Sequence, residues 1–218
     1  MALDIQLNSG LLLAFPTPIL RLTVPDADAI NGNLKKAILE KAKADDGTQR
    51  HNVGSWRSRE DLLSWELAEI EVLKGAINKA IARLTQLSLG AKAKGMRGEV
   101  NVIAWANVCR EGGYIKQHIH SLSNWSGVYF VSVEEAIEGK PESGLLEFVD
   151  PRPGVNILTT PGDPFGGTLK IRPAPGLLVM HPGWLAHYVN PYYGADERVS
   201  IAFNALVKGV TLQQDAQG

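Results

Sequence analysis

The sequence contains a single cysteine, Cys109, among its 218 residues. One cysteine cannot form an intramolecular disulfide, and such usage is typical of a reducing compartment, so we predict a cytoplasmic protein. The formal net charge is only −1, which argues against a nucleic-acid or anionic-membrane partner because both select for a basic excess. No apolar run approaches the roughly 18 residues that a membrane-spanning helix needs. The first ten residues contain Asp4 and no basic stretch, unlike a signal peptide.

The residues that are present suffice for one folded unit. Hydrophobic residues make up 44% of the chain, which is enough to build a core. Neither a linker-like segment nor an internal repeat interrupts the sequence, so a single domain over 1–218 is predicted. The periodicity of its apolar residues changes from helical to strand-like near residue 95. We expect a helical support region over 1–95 and a β-rich core over 96–210.

The start of the chain predicts two short strands, 11–15 and 19–24, followed by a helix over 27–44. Asp26 or Asp28 is the expected N-cap of this helix, since a short acidic side chain can accept a bond from a free backbone N–H. The predicted buried stripe consists of Ile30, Leu34, Ile38 and Lys41.

A second helix is predicted over 64–87. Gly75 in its interior costs roughly 1 kcal/mol of helix stability relative to alanine. The apolar face of this helix consists of Ile70, Leu73, Ile77, Ile81 and Leu84. Between the helices, 52–58 has no periodicity and is expected to be a loop that buries Trp56.

Beyond residue 95 the sequence alternates between apolar and polar residues, as strands do. The predicted strands are 98–109, 126–133, 144–149, 168–172, 177–180, 188–189 and 198–207. Helices followed by about seven short strands predict an α+β chain that is mainly β. The expected architecture is an antiparallel jelly roll with the N-terminal helices packed on its outer face.

Three histidines have the spacing of metal ligands. His118 and His120 alternate in an extended segment, so their imidazoles project to the same side of the backbone. His187 follows after a stretch rich in strand and turn signals. Three imidazoles with open coordination positions suit divalent iron, zinc, copper or nickel. The sequence therefore predicts one metal site, whereas His181 is expected to be structural and His51 to be a solvated loop residue.

The last strand places Arg198 and Ser200 on the face opposite its apolar residues. If the apolar face packs beneath the helices, the guanidinium points into the barrel. An anion must then accompany it, because an unpaired buried charge is costly. Arginine with a hydroxyl two residues later is suited to hold a carboxylate. The alternative is a surface arginine paired with Glu197 or Asp196.

This combination resembles the iron(II)- and 2-oxoglutarate-dependent oxygenase superfamily. The resemblance covers about half of the chain and is carried by Gly112, the His-x-His of 118–120, His187 and the Arg-x-Ser of 198–200. Further segments are similar to a bacterial and phage branch of that superfamily, namely 15–18, 54–58, 126–129, 143–152 and 197–204. The resemblance implies a double-stranded β-helix with a metal at one mouth.

The resemblance also implies a role for each motif residue. His118, His120 and His187 would hold Fe(II), which is the implied cofactor. Arg198 would pair with the distal carboxylate of 2-oxoglutarate, the implied cosubstrate, and Ser200 would donate a hydrogen bond to it. Asn107 stands where a nucleic-acid-demethylating branch has an asparagine that contacts the cosubstrate, although a strand-edge asparagine with no such role is an equal alternative.

The implied activity is that of a dioxygenase that hydroxylates a protein side chain or a small molecule. A symmetric homodimer is the expected assembly, because it is the commonest one among soluble oligomers. One residue departs from the superfamily pattern. Most members have Asp or Glu at the position of His120, which completes a triad of two histidines and one carboxylate. A neutral imidazole leaves the site one negative charge poorer, and Asp150 or Glu111 could supply a carboxylate from elsewhere.

Two other classes remain open at this stage. The same histidines also resemble the first cupin motif, and cupin-type dioxygenases oxidise thiols at a three-histidine iron site without 2-oxoglutarate. The glutamate expected after the cupin His-x-His is absent, however, and Asn124 and Trp125 stand in its place. Arg198 has no role on that interpretation. The third class is a non-catalytic module that binds a metal or a carboxylate.

Overall fold

The computed structural model describes residues 15–90, 97–134, 137–155, 157 and 167–211. Within these ranges, nine strands form a single sheet, accompanied by two α-helices and one short 3-10 helix. The predicted strand 11–15 lies outside the described residues apart from Phe15. The prediction of a mainly β chain is confirmed.

The order of the strands in the sheet differs from their order along the chain. Along the chain, the elements are β1 Leu20–Thr23, α1 Ala27–Ala44, β2 Asn52–Arg57, the 3-10 helix Leu62–Ser64, α2 Ala68–Leu89, β3 Arg97–His118, β4 Trp125–Ser132, β5 Leu146–Val149, β6 Thr168–Ile171, β7 Leu177–Pro182, β8 His187–Val189 and β9 Arg198–Thr211. The order across the sheet is β1-β7-β4-β9-β3-β8-β5-β6, and β2 pairs with β3 off this path. The named strands pair antiparallel throughout.

Helix α1 has the predicted bounds but not the predicted cap. Asp26 occupies the N-cap position in a left-handed backbone conformation, with φ of 53°, and its side chain makes no capping hydrogen bond. A capping side chain needs an extended N-cap backbone to reach the N–H groups of the first turn. Lys41 is also not part of the buried stripe. It is exposed, and its ammonium lies 4.7 Å from the centroid of the Trp65 ring.

The first 95 residues contribute strands as well as helices. Helix α2 begins at Ala68 rather than at residue 64, and all five of its predicted apolar residues are buried. The predicted loop 52–58 is strand β2, so that prediction is wrong. The register with β3 shifts between Val53 and Ser55, and such a bulge interrupts the alternation from which a strand is recognised. Trp56 is buried as predicted.

The two faces of β9 have different surroundings. Val199, Ile201 and Phe203 belong to an apolar cluster that also contains the buried residues of α1 and α2. The alternate residues of β9, from Arg198 to Leu206, line a cavity on the other face. Strand β9 therefore separates the core from the cavity, as its alternating sequence predicts. The position of the helices outside a closed barrel stays a prediction.

Two glycines offer a test of this packing. A Cβ at Gly127 in β4 would point into the Phe203 ring and lie 2.7 Å from the Val179 carbonyl oxygen. We therefore expect Gly127→Ala to lower the free energy of unfolding by about 1–3 kcal/mol, since neither neighbour can retreat without repacking the core. At Gly75 in α2, an added Cβ would have no heavy atom within 4 Å. Gly75→Ala should accordingly stabilise the protein by about 0.5–1 kcal/mol.

Urea denaturation followed by circular dichroism would measure both effects. An unchanged midpoint for Gly127→Ala would mean that β4 does not lie against Phe203 in this way. A lower midpoint for Gly75→Ala would mean that this part of α2 is not a solvated helix.

Candidate metal centre and binding cavity

Three histidines converge where β3 and β8 meet. His118 is the last residue of β3 and pairs in register with His187, the first residue of β8. His120 follows two residues later, and its backbone N–H donates to the Gly183 carbonyl at 2.7 Å. Each histidine offers one ring nitrogen, and these three atoms lie within 4.8 Å of one another. The arrangement can hold a metal ion.

Hydrogen bonds define which ring nitrogens are available. Nδ1 of His118 lies 2.8 Å from the Lys116 carbonyl oxygen, and Nδ1 of His187 lies 2.8 Å from the Leu185 carbonyl oxygen. A carbonyl can only accept, so each Nδ1 carries the proton and donates it. The lone pair of each ring is then on Nε2, the nitrogen left free for a metal.

The surroundings keep these imidazoles neutral. Burial, helped by the neighbouring His187, lowers the pKa of His118 to about 4. The same two causes lower the pKa of His120 to about 3, and burial lowers the pKa of His187 as well. A histidine must be unprotonated to bind a metal, so all three are ready to do so at neutral pH.

The other two histidines adjoin this cluster. His51 lies in the bend before β2 and is exposed, as predicted for a loop residue, but its ring stacks on that of His118 with centroids 4.6 Å apart. His181 in β7 is buried, and its Nδ1 donates to the Pro182 carbonyl at 2.9 Å. Its ring lies 4.5 Å from that of His187. Both residues line the same cavity as the three converging histidines.

No carboxylate joins the three histidines anywhere in the part of the chain that the structure describes. Asp150, one expected source, instead accepts hydrogen bonds from the backbone N–H and the Nε–H of Arg152. Glu111, the other, is exposed and does not line the cavity. The expectation that either one supplies a ligand is therefore wrong, because local pairing holds the first and strand geometry turns the second outward.

Arg198 is buried beside this cluster, and it has no acidic partner among the residues that the structure describes. It is only 1% exposed, and among the described residues no carboxylate lies within ion-pair distance of it. Its Nη1 is 3.5 Å from Ser200 Oγ, its Nε has no hydrogen-bond acceptor, and its guanidinium lies 5.1 Å from the centroid of Phe130. Glu197 approaches Arg110 instead, at 4.0 Å. The surface-pair alternative for Arg198 is therefore excluded.

The unpaired guanidinium has a clear electrostatic consequence. Burial lowers the pKa of Arg198, but an arginine side chain does not lose its proton in a protein. An uncompensated buried charge is strongly unfavourable. The site is therefore suited to receive an anion, which would supply both the missing charge and the missing hydrogen-bond acceptor.

One cavity of about 430 Å³ contains all of the residues predicted from the sequence to form the site. It is lined by His118, His120, His187, Arg198, Ser200 and Asn107. Asn107 is buried and pairs in register with Ser200, and Cys109 pairs with Arg198. The antiparallel pairing of β3 and β9 thus places the asparagine and the hydroxyl side by side.

Two arginines of the cavity, Arg50 and Arg57, are not predicted from the sequence. Arg50 and Arg57 line the cavity on the side of β2, and the Arg57 guanidinium lies 4.4 Å from the ring centroid of Trp105. The ring of Trp105 is in turn 5.9 Å from that of His120. The bulge in β2 breaks the apolar–polar alternation by which a strand is recognised. The sequence therefore does not show that Arg57 lies on a strand and lines the cavity.

The sequence also matches a known protein family. Residues 103–204 match the sequence model of a family described as "Putative 2OG-Fe(II) oxygenase". The predicted resemblance to the iron(II)- and 2-oxoglutarate-dependent oxygenases is confirmed. The matched range contains the three histidines, Arg198 and Ser200. No curated protein matches the sequence.

Solved structures of oxygenases share the fold. A prolyl-4-hydroxylase from Pseudomonas putida is 15% identical, with a TM-score of 0.60 over 88% of this chain and 93% of that one. A Trichoplax adhaerens prolyl hydroxylase, solved with a hypoxia inducible factor peptide fragment, is 11% identical with a TM-score of 0.57, covering 86% and 83%. HygX from Streptomyces hygroscopicus, solved with nickel, 2-oxoglutarate and hygromycin B, is 11% identical with a TM-score of 0.53, covering 87% and 82%. The predicted jelly-roll fold is confirmed.

Among the described residues, neither helix is long and apolar enough to span a bilayer.

Removal of one histidine tests the metal site. We expect His187→Ala to lose the bound divalent metal, because the two remaining imidazoles hold such ions weakly. Metal content after dialysis against buffer containing Mn(II) or Fe(II), measured by mass spectrometry, would report occupancy per chain. His51→Ala is the matched control, since this ring stacks on His118 but is exposed and outside the ligand cluster. Full occupancy in His187→Ala would show that the ligand set is wrong.

Replacing His120 tests the departure from the usual triad. His120→Asp restores a carboxylate and its negative charge, so we expect the affinity for Fe(II) and Mn(II) to rise. If the centre is adapted to three neutral ligands, 2-oxoglutarate turnover should fall although the metal binds more tightly. Calorimetric titration with Mn(II) and succinate formation with Fe(II) would measure the two quantities separately. If neither quantity changes, His120 is not a ligand.

Proposed function

We propose that this protein is an iron(II)- and 2-oxoglutarate-dependent dioxygenase that hydroxylates a small molecule or a protein side chain. The observation that carries the proposal is a buried arginine without a counter-ion in the same cavity as three converging neutral imidazoles. The family match over residues 103–204 supports the same chemistry. A metal centre alone would not require the arginine, whereas a dicarboxylate cosubstrate does.

The donor set fits divalent iron. One ring nitrogen from each of His118, His120 and His187, Nε2 in His118 and His187, would hold the ion and leave further positions open to small ligands. Backbone carbonyls orient two of the rings, so the ligands are prepared before a metal arrives. Bound iron would supply the redox chemistry by which dioxygen oxidises both the cosubstrate and the substrate. HygX, which has the same fold, was solved with nickel and 2-oxoglutarate bound.

The other end of the cavity fits the distal carboxylate of 2-oxoglutarate. Arg198 would donate two hydrogen bonds to it, including one from the Nε–H that now has no acceptor. Ser200 is fully buried beside the guanidinium and would donate a third from its hydroxyl. Asn107, next to Ser200 across the β3–β9 pair, would contact the same molecule through its amide.

The protein residues then have three tasks. Arg198 and Ser200 bind and orient the cosubstrate, so that its other end lies toward the histidines. The apolar side chains along the cavity exclude water from the space between the two ends, which strengthens each polar contact. The histidines and their carbonyl partners keep the metal ligands neutral and fixed. Orientation and exclusion of water are the protein's share of such catalysis.

The structural relatives accept different substrates, one a peptide fragment and another hygromycin B. Both support a broad proposal of a small-molecule or side-chain substrate for this chain. The competing three-histidine cupin activity leaves the buried arginine without a function. The homodimer predicted from base rates remains a prediction.

The arginine provides the decisive measurement. A charge-assisted two-point contact contributes roughly 1.5–3 kcal/mol, so Arg198→Ala should weaken 2-oxoglutarate binding by about ten- to a hundredfold. Arg198→Lys should recover only part of this loss, because an ammonium does not reproduce the planar fork of a guanidinium. Calorimetry on the anaerobic Mn(II) form would measure the dissociation constants, and metal content should stay unchanged in both variants.

Arg110→Ala serves as the matched control, because Arg110 is an exposed arginine paired only loosely with Glu197. Equal affinity of Arg198→Ala and the native protein would remove the proposed role of Arg198. Absence of any 2-oxoglutarate binding at millimolar concentration would overturn the oxygenase proposal. Thiol-dependent oxygen uptake would then favour the cupin-type activity.

A further inference from the structure

The cavity contains more positively charged side chains than the binding of 2-oxoglutarate would require. Its charged lining residues, within the described ranges, are Arg50, Arg57, Arg198 and Glu60. The proposed function assigns Arg198 to 2-oxoglutarate. Two arginines and one glutamate then remain on the wall formed by β2 and the segments that flank it. This wall lies on the same side as Trp105, whose ring adjoins His120.

Arg57 is a fixed part of this wall. Its side chain is 7% exposed, and its Nη2 donates to Glu60 Oε1 at 2.7 Å. Its Nη1 donates to the hydroxyl of Thr48 at 2.9 Å. The guanidinium is stacked over the face of Trp105. Arg57 therefore neutralises Glu60 and holds the aromatic ring that borders the metal centre.

Arg50 is left as the surplus cation. Its Nη2 is 3.5 Å from the same Glu60 oxygen that Arg57 already uses, and its side chain is 63% exposed. A single carboxylate cannot neutralise both guanidinium groups. The position of Arg50 is nevertheless defined, because its backbone N–H donates to Asn52 Oδ1 at 3.0 Å, and the Asn52 amide donates to the Ser55 carbonyl.

A second cation stands close by. Lys116 of β3 is exposed, and its backbone N–H donates to the His51 carbonyl at 2.9 Å, directly beside Arg50 in the chain. The cavity lining includes apolar side chains, among them Ile103, Ile115, Val128, Leu146 and Val189, together with polar ones such as Asn101, Ser126 and Asn204. The cavity thus has cationic side chains on the wall of Arg50 and Arg57 and apolar side chains elsewhere in its lining.

We propose that the substrate is a small organic acid whose carboxylate or phosphate binds at Arg50 beside the Arg57–Glu60 pair, with its apolar body in the cavity. This inference rests on the proposed function, since that function commits Arg198 to the cosubstrate. An anion at this wall compensates the surplus charge of Arg50 beside the Arg57–Glu60 pair, in which the Arg57 side chain is 7% exposed and that of Glu60 is 32% exposed. A volume of about 430 Å³ is within the range of small-molecule sites.

Matched acid and amide pairs test the charge of the substrate. The probes are benzoate with benzamide, phenylacetate with phenylacetamide, and octanoate with octanamide, together with phenyl phosphate and an acidic tripeptide, triglutamate. Calorimetry is performed on the anaerobic Mn(II) protein saturated with 2-oxoglutarate, so that Arg198 is occupied. We expect at least one acid to bind about tenfold more tightly than its amide. Equal binding within every pair, or no binding by any acid, overturns the proposal.

Variants of Arg50 test where the acid group of the ligand binds. Arg50→Ala should reduce the preference for the acid by about three- to tenfold, which is the range of one partly exposed charge-assisted contact, and Arg50→Lys should retain most of it. Arg59→Ala is the control, because Arg59 is 74% exposed, approaches only Asp45 at 3.9 Å and does not line the cavity. An undiminished preference in Arg50→Ala overturns the proposed position of the anion.

The remaining outcomes separate this inference from the proposed function. Tight binding of triglutamate without binding of any small acid would replace the small-molecule substrate by an acidic peptide and overturn the inference as stated. If the native protein does not bind 2-oxoglutarate, the dioxygenase proposal fails by itself. The dependence of acid binding on Arg50 can still be measured in the metal-free protein, and its presence there would support the anion site alone.

Discussion

The pairing of β3 with β9 is the interaction on which the whole site depends. It runs in near-continuous register from Arg97 opposite Thr211 to Cys109 opposite Arg198. Because side chains alternate along both strands, this single register decides which residues enter the apolar core and which enter the cavity. A slip by one residue would place Arg198 among the helices and Val199 in the cavity. The same strand β3 then continues to His118, so the register also positions the first histidine relative to the arginine.

Burial affects both the converging histidines and the arginine of the cavity. Burial lowers the pKa of each converging histidine, which favours three neutral ligands. The same exclusion of water leaves the guanidinium of Arg198 charged but without a partner. Neutral imidazoles on one side and an unpaired cation on the other make the cavity selective for anions. A stable apo protein is possible because polar atoms such as Ser200 Oγ lie near the guanidinium and partly compensate it.

Periodic segments of the sequence were predicted well, and irregular ones were not. The buried face of α2 and the two faces of β9 follow from apolar spacing, because each element buries one regular stripe, whereas the stripe predicted for α1 wrongly included Lys41. Strand β2 was missed since its bulge breaks the alternation. The histidine and arginine motifs predicted the composition of the site. The surplus charge at Arg50 and the stacking of His51 on His118 depend on how distant loops meet, which spacing does not reveal.

These charges give a physical reason for a histidine, rather than a carboxylate, at position 120. A divalent metal held by three neutral ligands and the Arg198 guanidinium would together carry three positive charges, and a 2-oxoglutarate dianion bound between them would leave one positive charge. With a carboxylate ligand in place of His120, that total would be zero, and the site would attract a second anion less strongly. The ring centroids of His120 and Trp105 lie 5.9 Å apart, and the Arg57 guanidinium lies over the Trp105 ring. A neutral ligand at this place and a positive wall beyond it both lower the electrostatic cost of admitting an acidic substrate beside the cosubstrate. On the proposed function, a neutral ligand at position 120 and the surplus arginine would both serve the accommodation of two anions in one small cavity.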